Sequence, residues 1–321
     1  MISYLQAVVI GLLQGATELF PVSSLGHSVL VPALLGWNEV LGDQSAGESP
    51  FLAFLVGLHV ATALALLVFF RAEWARIIAG LLRSVRRCRI ETADERLGWM
   101  LVAATIPAGL FGLAFEHALR VLFAWPLAAA AFLTVNGLLL LAGEGLRRRS
   151  AGRQRLEARL DPERLRGRTP ADVASVAQPS GGTPRLGEGD FEPEVRLAAL
   201  SLTDALLIGA AQILAFFAGI SRSGATMVAG LARGLDHEEA ARFAFLLATP
   251  IILAAGVYKL PDLLGSNGDG VRGQVLAGSV AAAVAAWLSV RFLQRWFQTR
   301  TLTPFAVYCL VGGVACLLRF A

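Results

Sequence analysis

The chain has 321 residues, 55% of them hydrophobic and 16% charged, with a mean hydropathy of +0.61, which excludes an ordinary soluble globular domain and points to a membrane protein. The formal charge of +4 and pI near 9.4 do not argue for nucleic acid, because the arginines sit between apolar runs and line no stripe. The three cysteines, Cys88, Cys309 and Cys316, have no CxxC spacing and imply neither a disulfide framework nor a zinc site.

The first residues are apolar but lack a basic n-region, and Gln14 and Glu18 interrupt any signal-peptide core, so the N-terminus is expected to belong to the mature protein. Residues 4–36 are apolar yet broken in the middle by Pro, Gly and Ser. Three runs follow, 51–70, 97–113 and 125–141, each near the length of about 20 residues that crosses a bilayer. From 144 to 195 the chain turns rich in Arg, Glu, Pro, Gly and Ser, which predicts a cytoplasmic linker with at most one short exposed helix, otherwise disordered. A second broken apolar stretch, 202–234, precedes three more spans, 243–258, 274–290 and 303–318.

Arginine orients these segments, since short cytoplasmic loops are rich in Lys and Arg. Arg71, Arg76, Arg83, Arg86, Arg87 and Arg89 follow the first span, Arg147–Arg149 open the linker, and Arg291, Arg295 and Arg300 follow the fifth span; all three regions are predicted inside. Residues 37–50 hold no Lys or Arg and 259–270 hold few, which puts both outside. Residues 4–36 then end outside, whereas 202–234 begin and end inside. The simplest path for each is a re-entrant helical hairpin, with irregular backbone tolerated at depth where protein or water surrounds it.

The two broken stretches match without a gap over 7–36 and 205–234: Ala7 on Ala205, Ile10 on Ile208, Gly11 on Gly209, Gln14 on Gln212, Ser23 on Ser221, Gly26 on Gly224 and Gly36 on Gly234. Opposite starting sides make this an inverted-topology repeat, which places a site near the midplane where broken helices meet. Shared composition for packing is the competing explanation. The predicted fold class is an all-α polytopic membrane protein with about six transmembrane helices and two re-entrant hairpins. Its parts are a first repeat, 1–143, a linker, 144–197, and a second repeat, 198–321.

The first hairpin carries Gln14, Glu18, Ser23, Ser24 and His27; the second carries Ser221, Arg222, Ser223 and Thr226. Ionisable side chains at membrane depth cost several kcal/mol unless paired or hydrated, so Glu18, His27 and Arg222 are functional candidates. Arg beside hydroxyls and Gly-rich backbone suits phosphate oxygens, and a hydroxyl, an acid or base and a cationic clamp are the parts phosphoryl transfer needs. The repeat superposes Ser24 on Arg222, so a pseudo-twofold brings those positions face to face. An ion pair that only clamps the hairpins is the bland alternative; it leaves the hydroxyls and glycines unexplained. His59, inside an apolar span, is expected to be a structural hydrogen-bonder, and His117 and His237, near span ends, receive no role.

ELFPVSSLGH (18–27) and GISRSGAT (219–226) together resemble the signature regions of the undecaprenyl-diphosphate phosphatase family, the bacitracin-resistance type. The resemblance extends through LHVATALALLVFFR, with Ala61 where the family has Gly, and through ARFAFLLATP. It implies an integral phosphatase of the bacterial inner membrane that converts undecaprenyl diphosphate to undecaprenyl phosphate, recycling the carrier lipid of cell-wall synthesis, with a site open to the periplasm. It also implies a divalent cation, Mg2+ or Ca2+, held by Glu18. Gln14 takes the first position of the family's (E/Q)xxxE motif, which leaves Glu18 its only carboxylate. Ser24 and His27 fall on the family's catalytic Ser and His; Arg222, with Ser221, Ser223 and Thr226, falls on its phosphate-binding region, to which Gln14 and Ser23 are added as substrate-binding candidates. Ala218 replaces a Pro, from which a slightly looser turn and retained activity are expected. The roles that follow have Arg222 bind the terminal phosphate, Ser24 attack phosphorus, His27 carry a proton, and Glu18 hold the cation or orient His27. Whether Ser24 or His27 is the nucleophile stays open, as does a homo-oligomeric state. The competing function is a lipid-phosphate transporter or flippase, which needs Arg222 but no nucleophile.

Overall fold

A computed structural model describes residues 2–37, 50–122, 125–160, 197, 199–264 and 270–321. All regular structure among them is helical. The helices are α1 (Tyr4–Leu19), α2 (Ser24–Leu34), α3 (Pro50–Phe69), α4 (Arg71–Arg87), α5 (Ala93–Leu122), α6 (Pro126–Leu160), α7 (Leu202–Ala211, continued by a 3-10 turn, Gln212–Phe216), α8 (Arg222–Ala232), α9 (His237–Leu264), α10 (Arg272–Thr299) and α11 (Thr303–Phe320). Five of these are long and apolar enough to cross a membrane, and Ala53–Phe69 makes a sixth when taken with Arg71–Arg87, from which it bends by 87°.

The two broken stretches become α1–α2 and α7–α8. At 1.5 Å per residue α1 is about 24 Å long and α2 and α8 about 16 Å, all short of a hydrocarbon core of about 30 Å. In each pair the two arms touch. Ser3 opens α1 with a capping box to Gln6, and Ser201 opens α7 with the same device to Asp204. The second arms start alike: Ser23 Oγ accepts from Gly26 N at 3.2 Å and Ser221 Oγ from Gly224 N at 3.1 Å.

The halves exchange partners. α1 lies along α10, and α7 lies along α5; α6 pairs with α11, and α3 with both α9 and α10. Small residues set the approach. A Cβ on Gly11 would run into the Gly278 carbonyl of α10, and one on Gly209 into the Ala104 carbonyl of α5. The principal apolar core draws on both halves, from Leu19 and Leu66 to Phe245 and Val290.

Two helices run beyond the bounds expected for their apolar runs. The span expected at 97–113 lies within α5, which runs to Leu122, and the boundary set at 143 falls inside α6, which runs to Leu160. Glu144, expected to begin the linker, is buried in that helix and accepts from Leu302 N at 2.8 Å. The remainder of the expected linker, 161–196, lies outside the described residues.

Candidate active site

Glu18, one residue before the end of α1, is the hub. Its Oε1 takes a hydrogen bond and ion pair from Arg222. Its Oε2 takes the Ser24 hydroxyl and, at 3.0 Å, the Gln14 amide one helical turn earlier. The carboxylate is buried, while Arg222 keeps 19% side-chain exposure. Ser24 and Arg222, superposed by the repeat, therefore meet on the two oxygens of one carboxylate.

Both are also the first residues of their helices, α2 and α8. The first turn of a helix has N–H groups with no carbonyl behind them, and its end carries partial positive charge. Two such ends, with a guanidinium of five N–H donors of which only one nitrogen is engaged among the described residues, form a site suited to an anion.

The break before Ser24 is over-determined. Ser23 has φ of 73°, a conformation that costs a non-glycine residue on the order of 1–3 kcal/mol. Its hydroxyl also accepts from Gly219 N at 3.1 Å, across the two hairpins, and its carbonyl accepts His27 Nδ1–H at 2.6 Å. Gly219 itself has φ of 115°, and a Cβ there would strike the Ala129 carbonyl. Ala218, in the same turn, is buried.

No described hydrogen bond joins the His27 ring to Ser24 or Glu18. Since the Ser23 carbonyl only accepts, Nδ1 carries a hydrogen, and in the neutral ring Nε2 accepts the Tyr308 hydroxyl at 2.7 Å. The Tyr308 ring also stacks on it. The expected orientation of His27 by Glu18 is absent from the described hydrogen bonds, and the side chain sitting on the Ser24 hydroxyl is Glu18.

The remaining candidate hydroxyls serve the backbone. Ser223 Oγ donates to Phe20 O (3.3 Å) and Glu18 O (3.4 Å), and Ser221 Oγ reaches Phe20 O at 3.5 Å. Thr226 Oγ1 bonds the Arg222 and Ser223 carbonyls of its own helix. They gather at the site as its frame, and Arg222 is its partly exposed cation.

Two residues escaped the sequence reading. His59 of α3, expected to be structural, does donate Nδ1–H to Leu55 O at 2.8 Å, but its Nε2 lies 3.3 Å from Glu18 Oε2. Asn136 of α6 is fully buried between the breaks. His237, given no role, pairs with Glu144 away from the site; the His117 side chain lies outside the described residues.

Among the described residues no three His, Cys, Asp or Glu side chains come together as a metal group. A cation would rest on Glu18 with Gln14 Oε1, a buried acceptor without a hydrogen-bond partner, beside it. So sparse a set fits a hard cation that takes its other ligands from phosphate oxygens and water.

Fold and site together define a multi-pass helical membrane protein with a polar centre of carboxylate, guanidinium and hydroxyl groups inside it. The family model described as bacitracin resistance protein BacA matches residues 7–315, and the chain belongs to that family. It is 57% identical over 339 residues to undecaprenyl-diphosphatase 2 of Frankia alni, covering 100% of this chain and 98% of that one. The undecaprenyl-diphosphatase of Mycolicibacterium paratuberculosis is 57% identical over 323 residues, with 100% and 98% covered. That of Acidiphilium cryptum is 44% identical over 317 residues, with 97% and 96% covered.

Proposed function

We propose that this chain hydrolyses undecaprenyl diphosphate to undecaprenyl phosphate and inorganic phosphate, the activity its relatives are named for. The observation that carries this reading is the Glu18 carboxylate, which holds Ser24 from one hairpin and Arg222 from the other, each the first residue of its helix. A carrier would need the cation and the helix ends; it would have no use for a hydroxyl already hydrogen-bonded to a base.

The terminal phosphate draws the Arg222 guanidinium to itself, which frees one carboxylate oxygen. Ser24 Oγ attacks the terminal phosphorus while its proton passes to Glu18, and the bond from that phosphorus to the bridging oxygen breaks, releasing undecaprenyl phosphate. Water then cleaves the phosphoseryl bond, one of its hydrogens restoring the Ser24 hydroxyl and the other leaving with phosphate, while the proton held by Glu18 passes to the departing undecaprenyl phosphate or to water, restoring the carboxylate. A divalent cation, Mg2+ or Ca2+, held by Glu18 and Gln14 Oε1, would offset charge on the diphosphate. The arginine distribution supports a bacterial inner-membrane location with the first hairpin facing the periplasm.

The test is phosphate release beside equilibrium binding of the lipid for purified parent, Ser24→Ala and Arg222→Lys. Ser24→Ala is expected to lose about three orders of magnitude or more in turnover while still binding. Arg222→Lys, which keeps the charge but not the planar fork, is expected to lose about 100-fold in turnover and to bind more weakly. Binding without phosphate release by the parent would favour a carrier; near-normal turnover in Ser24→Ala would remove it as nucleophile.

A further inference from the structure

Asn136 is the one amide in the apolar run 125–141, and it has no solvent exposure. A buried amide in a span is costly unless its donor and acceptor are both satisfied. Here both are, and by the backbone of two different elements. Nδ2 donates to Pro21 O at 2.9 Å, inside the break between α1 and α2, and also lies 3.3 Å from Cys309 Sγ on α11. Oδ1 accepts from Ser221 N at 3.0 Å, at the N-cap of α8. Pro21 stands three residues before Ser24, and Ser221 immediately before Arg222. One rigid planar group on a third element thus spans the two backbone segments that carry the nucleophile and the clamp.

The direct ties between the breaks are different in kind. The Ser221 and Ser223 hydroxyls reach Phe20 O at 3.5 and 3.3 Å, and a hydroxyl rotates to suit its surroundings. Ser23 Oγ, the acceptor for Gly219 N, already caps α2. Among the described residues only Asn136 meets both breaks with one flat group whose donor and acceptor are fixed relative to each other.

We propose that Asn136 is a positioning residue for phosphoryl transfer, setting the separation of the two helix N-termini so that Ser24 and Arg222 act on the same phosphate. This role rests on the phosphatase reading above. It does not place Asn136 on the substrate; the amide acts through the backbone at Pro21 and Ser221. Misplacement of reacting groups by about 1 Å costs on the order of 100-fold in rate, whereas binding through Arg222 and the helix ends tolerates such a shift better.

The experiment measures kcat, KM, lipid binding and thermal stability for full-length parent, Asn136→Leu and Asn136→Asp. For Asn136→Leu we expect kcat to fall by about 100-fold with KM and binding within about threefold. Asn136→Asp is the sharper probe. A protonated carboxyl, like the amide, presents a donor at one end and an acceptor at the other, while the ionised form has no donor for Pro21 O. The ratio of variant to parent kcat is therefore expected to fall as pH rises through the titration of the introduced carboxyl. A purely structural role would lower stability without that split between kcat and KM and without a pH-dependent ratio. Parent-like kcat in folded Asn136→Leu, or a flat ratio for Asn136→Asp, overturns the proposal; if Asn136→Leu does not fold, Asn136→Asp decides alone. Absence of phosphate release from the parent overturns the phosphatase reading itself, and this role with it.

Discussion

At the scale of residues, His27 has hydrogen-bond partners other than Glu18 or Ser24, which its expected role would use. Its Nδ1–H holds the carbonyl of Ser23 and its Nε2 is taken by Tyr308, so the ring braces the strained residue that aims Ser24. An Asn side chain places an N–H near where Nδ1–H sits. We therefore expect His27→Asn to keep turnover within about tenfold of the parent and His27→Ala to lose about 100-fold, the cost of a misaimed nucleophile. Equal, near-complete loss in both would return His27 to the role of proton carrier or nucleophile. The sequence made Glu18, Ser24 and Arg222 legible because charge and hydroxyls stand out in apolar runs. His59 carried the same signal, being the one ionisable residue of 51–70, and a default expectation of function for such residues would have found it. Asn136 was beyond reach, since an uncharged amide in a span gives no hint of which backbone atoms it will meet.

At the scale of elements, the matched pairs of the two hairpins perform matched tasks, except that Gln14 donates to Glu18 and Gln212 to the Ala104 and Gly209 carbonyls. Ser23 and Ser221 cap, Gly26 and Gly224 supply the capped N–H, and Ala7 with Ala205 and Ile10 with Ile208 are buried. Gly36 and Gly234 follow the second arms with φ of 70° and 95°. Gly11 and Gly209 each admit a neighbouring helix to backbone contact, one from the second half and one from the first. Val at either glycine would force those helices apart, and overpacking of this kind typically costs about 1–3 kcal/mol. Gly11→Val and Gly209→Val should each lower the thermal midpoint in detergent, whereas Gly312→Ala, where an added Cβ meets nothing within 4 Å, should not. Similar midpoints in all three variants would contradict the close-packing account. Helix ends were less legible than breaks for a physical reason. Hydropathy reads only the apolar part of a helix, while Glu, Arg and Leu are good helix formers in water as well, so α5 and α6 run on past the spans.

At the scale of the whole molecule, the tertiary contacts sort the helix ends into two sets. Glu73 of α4 pairs with Arg242 of α9, Glu144 of α6 with His237 and Leu302 N, Asp204 of α7 with Arg233 of α8, and Arg96 of α5 with Leu200 O. All of these belong to ends that the arginine distribution puts inside. Gln274 at the start of α10 donates to Ile2 O, and both belong to ends put outside. The chain thus has two faces with the expected membership, and the remaining question is which face meets which compartment. The positive-inside rule predicts both termini and 37–50 outside and the connections 71–96 and 144–195 inside. In a background lacking Cys88, Cys309 and Cys316, Ser45→Cys should react with an impermeant thiol reagent in intact spheroplasts and Ser180→Cys should not. Labelling at position 180 alone would turn the protein over and open the first hairpin to the cytoplasm. Labelling at both would put the two connections on one side, and two hairpins entering from opposite sides, as an inverted repeat requires, would no longer be possible.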